Sequence, residues 1–240
     1  MSLIRFIILT LFIFTQSHAD TIYNLIKIPN LEIYDIKTPN KLRYLYAKQP
    51  FTIGVDNNIN CYDSKKEILD QKYQIIQKNL NRYNQKFLKK INLKYIVLCE
   101  DLSISRINTA GIPDNIMKTL ILDVKFNENY FERVIHHEVF HVINDSFKQL
   151  FNEEIWSNFN IKEFKYAECS TCTDKLGLDT YADTKGFFSE YSQSTASEDM
   201  AEVFSHLMMG VSLNNFDPIL EKKINFIKNT IQKIDENFIL

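Results

Sequence analysis

The stretch that decides the reading runs from Tyr130 to Phe147: Tyr130-Phe131-Glu132-Arg133-Val134-Ile135-His136-His137-Glu138-Val139-Phe140-His141-Val142-Ile143-Asn144-Asp145-Ser146-Phe147. Phe131, Val134, Ile135, Val139, Val142 and Ile143 recur at helical spacing, and no proline interrupts them, so the segment is expected to be an amphipathic helix. Within it His137-Glu138-Val139-Phe140-His141 is an HExxH match. Residues at i and i+4 of a helix face the same way, so His137 and His141 can share one cation, expected to be zinc. Glu138 is displaced around the helix, where it can reach a metal-bound water without ligating the metal itself.

A catalytic zinc takes a third protein ligand and keeps its fourth position for water. Beyond the motif and the leader described below, the histidines are His136, on the wrong face, and His206, so a carboxylate is the other source. Candidates concentrate in Ser197-Glu198-Asp199-Met200-Ala201-Glu202-Val203-Phe204-Ser205-His206, where Glu198, Glu202 and His206 recur every four residues on one helical face. Spacing alone cannot rank them.

The HExxH motif together with the downstream run from Tyr191 to Glu202 resembles the gluzincin metallopeptidases, and within them the anthrax lethal factor and Pro-Pro endopeptidase group with related bacterial zinc peptidases. That group has a Tyr seven residues before the ligating Glu and a second Glu four residues after it, in an E-x-x-A-E pattern. Tyr191, Glu198 and Glu202 occupy those places. The resemblance covers roughly residues 115–210. It implies that Glu198 is the third ligand, that Glu202 orients a ligating histidine, and that Tyr191 stabilises the oxyanion, leaving His206 as a spare. The group commonly carries Gly before the second His. Phe140 stands there, which predicts looser packing of the helix against its neighbour and bars any transfer of substrate preference.

Composition agrees with an ordinary globular enzyme. Of 240 residues, 45% are hydrophobic and 24% charged, and a net charge of -2 gives no positive field to recruit nucleic acid. The apolar run Phe6 to Phe14 after Arg5, followed by Ser17-His18-Ala19, reads as a secretory signal over residues 1–19, cleaved before Asp20. It falls short of the ~20 residues of a membrane span, so no stable anchor is expected after cleavage. No Cys follows the cleavage site, so a lipoprotein anchor is not indicated. The mature chain, residues 20–240, is expected to be one domain in a secreted or periplasmic setting.

Cys61, Cys99, Cys169 and Cys172 all lie in the exported part, where thiols pair. Four cysteines allow three pairings; the closeness of Cys169 and Cys172 favours joining those two, leaving Cys61 with Cys99. Zinc or redox chemistry at the lone CxxC is the alternative, but a four-cysteine zinc site would normally show a second CxxC.

The fold expected is α+β and zincin-like: a small mixed sheet, the HExxH helix, and a mostly helical C-terminal part. Short strands are expected near Leu31 to Tyr34, Phe51 to Val55, Lys94 to Cys99 and Lys118 to Val124, the last as an edge strand bordering the cleft and able to hold an extended peptide. Gly111 to Asp114 reads as loop. Ser64 with Glu67 reads as the cap of one long helix to about Ile91, with a solvated Lys- and Gln-rich face. Residues 148–197 read as an irregular but ordered excursion, with helices over Glu198 to Met209 and Pro218 to Phe238. The function expected is hydrolysis of peptide or protein substrates with one zinc per chain; a zinc amidase acting on cell-wall peptides and a non-catalytic binder with the same fold are the alternatives. Oligomeric state has no signature in the sequence.

Overall fold

Continuous apolar runs, Tyr95-Ile96-Val97-Leu98-Cys99 and Thr119-Leu120-Ile121-Leu122, form the centre of a sheet buried on both faces, and the helices pack on one of them. The computed structural model describes residues 28–211 and 217–240, so the expected leader lies outside the described residues. Its strands are β1 (Leu31–Asp35), β2 (Arg43–Ala47), β3 (Phe51–Ile53), β4 (Ile59–Tyr62), β5 (Tyr95–Ile104), β6 (Ile107–Asn108), β7 (Gly111–Asp114) and β8 (Thr119–Asp123). The first half of β5 lies between β2 and β8, parallel to both, while β1 and β7 close the two sides antiparallel. The second half of β5 pairs antiparallel with β4 and β6. Side chains alternate along β5 as a pleated strand requires: Ile96 and Leu98 enter the main core beneath the helices, and Tyr95, Val97 and Cys99 a smaller core on the other face.

The edge expected at Lys118 to Val124 is one strand further out. β8 is covered by β5 on one side and β7 on the other, so the border is Gly111–Asp114, which local sequence makes look like a turn. Pro113 is compatible with that place because an edge residue need not donate to a neighbour.

Helices follow as α1 (Lys66–Leu80), α2 (Gln85–Lys90), α3 (Glu128–Ser146), α4 (Glu153–Ser157), α5 (Ala196–Met208) and α6 (Pro218–Ile234). The single long helix expected up to Ile91 is two. The chain turns at Asn81 to Asn84, and Asn84 caps α2 by accepting from the Phe87 N–H at 2.9 Å. Nor does Ser64 cap α1. The Lys65 N–H finds the Glu100 carboxylate at 2.8 Å instead, and the buried Ser64 hydroxyl has no partner. The excursion after α3 is irregular as expected, with only the short α4 and a 3-10 turn at Tyr191–Gln193. Both favoured disulfides form, Cys61–Cys99 between β4 and β5 and Cys169–Cys172 within the excursion. No helix among the described residues is long and apolar enough to cross a membrane.

The excursion and the C-terminal helix are fastened to α5 by a buried ion pair. Lys223 on α6 and Asp199 in the first turn of α5 are fully buried 2.6 Å apart. The same Asp199 oxygen accepts from Trp156 Nε1 at 2.8 Å and from the Tyr166 hydroxyl at 2.5 Å, while Lys223 also donates to the Gly186 carbonyl at 2.7 Å. Lys223→Met leaves Asp199 charged and buried without its cation, and should cost about 3–5 kcal/mol of stability, read from the urea unfolding midpoint. Pairing it with Asp199→Asn should recover part of that loss.

Candidate metal centre

α3 is buried almost all round, between the sheet and α5, so its polar side chains must find partners inside the protein. His136 turns toward α1 and the turn that follows it, where Tyr83 OH meets its Nδ1 at 2.7 Å and Asn79 Oδ1 of α1 its Nε2 at 3.0 Å. It takes no part in the site, as its face predicts. Arg133, one turn before His137, is buried against Glu202 of α5 and donates to the Leu178 carbonyl at 2.6 Å. His137 Nδ1 meets the other Glu202 oxygen at 3.0 Å, and Ser189 Oγ donates to Glu202 Oε2 at 2.7 Å. With Nδ1 donating to a carboxylate, Nε2 presents its lone pair to the opposite side.

On that side three ligand atoms converge. His137 Nε2 and Glu198 Oε2 are 2.9 Å apart, His141 Nε2 and Glu198 Oε2 3.2 Å, and the two Nε2 atoms 3.2 Å. α5 presents Glu198 in its first turn because Thr195 caps the helix, accepting from the Glu198 N–H at 3.2 Å. Atoms bound tetrahedrally at 2.0–2.1 Å to a common zinc lie about 3.3 Å from one another, so the triangle has the size of three corners of such a site. Two imidazole nitrogens facing each other at this distance must otherwise share a proton or repel. The residues present therefore fit a zinc ion with one open position.

The electrostatics point the same way. Burial disfavours the charged form of His137, but hydrogen bonds to Glu198 and Glu202 outweigh it and hold its pKa up at about 10. Burial is likewise outweighed at His141, whose pKa is raised chiefly by the charge of Glu198. Glu198 is held well below the usual carboxylate range, against the push of burial, by His141 and His137. Glu138, only 8% exposed, behaves oppositely: burial lifts its pKa to about 7, partly offset by the two histidines.

Tyr191 lies beside the cluster, its ring centroid 5.8 Å from that of His137, and burial together with the charge of Glu198 pushes its phenol pKa up. Phe140 is fully buried against Phe151 and Phe204, so aromatic rings fill the space that a glycine would leave, and the expected looseness of the helix is absent. His206 stays out of the cluster. It stacks on Phe188 at 4.2 Å, donates from Nδ1 to the Glu202 carbonyl at 2.8 Å and meets Thr180 Oγ1 at 3.1 Å.

Three participants have no place in the sequence reading. Arg133 had a usable signal, since it stands four residues before His137 on the ligand face. Ser189 had none. Gly111 lies on β7 directly against Glu138: a Cβ there would come within 2.7 Å of Glu138 Cγ and 3.1 Å of the Ile121 carbonyl.

Residues 65–237 match the model of the family described as "Putative zinc-binding metallo-peptidase", and the chain belongs to that family. A crystal structure from Bacteroides caccae, carrying the same description, is similar over 81% of this chain and 80% of its own, with 18% sequence identity and a TM-score of 0.48. No curated protein matches the chain.

Gly111→Ala should force Glu138 and β7 apart. Crowding of this kind typically costs about 1–3 kcal/mol, so chemical denaturation should find the variant less stable by that amount, with the unfolding slope unchanged.

Proposed function

We propose that the chain is an exported zinc-dependent peptidase holding one zinc through His137, His141 and Glu198. The observation that carries this reading is the convergence of those three ligand atoms beside a buried Glu138. Zinc, when bound, supplies Lewis acidity that makes a water acidic near neutral pH and polarises a carbonyl. Glu138, with a pKa near 7 from burial, accepts the proton of the attacking water and returns it to the leaving amine. Tyr191 keeps its proton, because burial raises its pKa far above the ordinary value, and donates a hydrogen bond to the oxyanion. Glu202 fixes the tautomer of His137, and Arg133 and Ser189 hold Glu202 in place.

A peptidase family implies a peptide or protein substrate. The free edge of β7 suits an extended segment adding as one more strand, and the contact of Gly111 with Glu138 brings that edge to the catalytic base. Two disulfides, with no free cysteine among the described residues, suit an oxidising compartment.

Purified protein should cleave a mixed peptide library and lose that activity to a chelator. Zinc-loaded protein that cleaves nothing would be a binder, and one that cleaves only cell-wall peptides an amidase. Zinc content should fall sharply in Glu198→Ala, whereas Glu202→Ala should weaken affinity or activity by ~10–100-fold. If Glu202→Ala empties the site while Glu198→Ala leaves it loaded, the ligand assignment is wrong.

Because the pKa of His137 is held up at about 10 in the metal-free protein, zinc must displace a proton there. Calorimetry in buffers of different ionisation enthalpy should show about one proton released at pH 7, and affinity that rises with pH. Proton-independent binding would contradict the assignment. Glu138→Gln should keep zinc and lose nearly all turnover. Tyr191→Phe should also keep zinc, with kcat down about 100-fold and KM little changed.

A further inference from the structure

Positive charge gathers at the end of the sheet away from the metal ligands. A cavity of about 450 Å³ is lined there by the start of β2, by α2 and by the turns that enter β5 and β8. Five of its eleven lining residues are cations, Lys41, Arg43, Lys89, Lys94 and Lys118, and none is an aspartate or glutamate. In the whole chain 30 acids outnumber 28 Lys and Arg, so composition does not produce that imbalance. None of the five cations forms an ion pair among the described residues.

The charges are neighbours because the strands are parallel. Arg43 N–H donates to the Lys94 carbonyl at 3.0 Å, and the Lys94 and Tyr95 N–H groups both donate to the Lys118 carbonyl at 2.9 Å. Arg43, Lys94 and Lys118 therefore stand side by side where β2, β5 and β8 begin. Arg43 and Lys94 also lie against the Tyr95 ring, 5.9 and 5.1 Å from its centre. Lys41 and Lys118 have φ of 67° and 57°, so each turn holds a charged side chain where glycine would fit with less strain. Like charges set side by side on adjacent strands are destabilising, and an anion in the cavity cancels that cost. Buried Leu88 and Leu93 supply an apolar part of the lining, so the cavity suits a carbon skeleton as well as charge. From Thr119 the strand β8 runs to Leu122, the partner of Gly111 beside Glu138, which puts roughly 10 Å of strand between the cavity and Glu138.

We propose that this cavity binds a small organic ligand carrying two or more phosphate groups, held by Arg43, Lys94 and Lys118 on the strand starts together with Lys41 and Lys89. A phosphate monoester carries about -1.5 to -2 at pH 7, so two or three of them balance five cations. The volume is that of a small-molecule site, and the net charge of -2 gives no wider field to hold a long polyanion. A soluble sugar phosphate and a phosphomonoester lipid head group present the same chemistry.

Titration of the protein with fructose 1,6-bisphosphate should show saturable one-to-one binding that weakens as salt rises. Lys94→Gln and Lys118→Gln should each weaken it about 10-fold or more, and the double variant should abolish it. The double variant should unfold at a temperature no lower than the parent's, because it removes a repulsion. Lys148→Gln/Lys222→Gln makes the same change in net charge at exposed positions elsewhere and should bind as the parent does. So should protein stripped of metal with a chelator. Sedimentation with phosphatidylcholine vesicles, with and without phosphatidic acid, separates the two sources. Bisphosphate binding without pelleting assigns a soluble ligand, and pelleting that requires Lys94 and Lys118 without bisphosphate binding assigns a lipid head group. Both together uphold the site for the phosphate group itself. The proposal is overturned by absence of both, by binding that survives in Lys94→Gln/Lys118→Gln, by equal loss in Lys148→Gln/Lys222→Gln, or by loss on removal of the metal.

Discussion

His137 Nδ1 and Glu202 Oε1 meet across the α3–α5 interface at 3.0 Å, and the remainder of the site is arranged around that contact. A carboxylate 1% exposed pays heavily for leaving water unless donors surround it. Glu202 has three, from His137 and Arg133 on α3 and from Ser189 in the excursion. The same carboxylate therefore sets the rotation of α3, the ring orientation of His137 and the seating of the excursion that carries Ser189. Once α3 is rotated that way, the i+4 spacing delivers His141, and the same packing delivers Glu198 one turn before Glu202.

The first turns of α5 carry three buried or nearly buried acids with separate duties. Glu198 faces the imidazoles, Asp199 faces Lys223, Trp156 and Tyr166, and Glu202 faces Arg133 and His137. Glu198 and Asp199 also sit where the helix dipole favours negative charge. Because neighbouring residues point apart, the ion pair that anchors α6 lies next in sequence to Glu198 without competing for it. The scaffold on both sides of the ligands is thereby held by charges that cannot move without exposing an unpaired partner.

Much of this was legible in the sequence because it is written locally. The HExxH spacing, the apolar periodicity of α3, the Pro218 start of α6 and the short-range Cys169–Cys172 pairing all depend on residues within a turn or two of each other. What sequence could not show was the choice among distant partners. Ser64 looks like a cap, but Glu100 reaches the same helix end from β5. Gly111-Ile112-Pro113-Asp114 has turn chemistry, yet pairing with β8 overrides it. Lys223 sits in an amphipathic helix of ordinary appearance, and nothing nearby announces that it is buried against Asp199. Arg133 escapes notice for the opposite reason: its spacing from His137 is visible, but an arginine on a helix is usually solvated.

Pro113 gives the outer strand β7 a property unrelated to the metal-ligand cluster. An uncovered strand invites any extended chain, including another copy of the same protein, to zip along it. Pro113 has no N–H, so the four-residue border can offer a visiting backbone only a short and incomplete ladder. A long partner strand gains little there, and stacking of copies edge to edge is discouraged. A brief extended stretch still finds a few backbone groups to pair with. The proline thus keeps an accessible strand from becoming a seed for fibrous self-assembly.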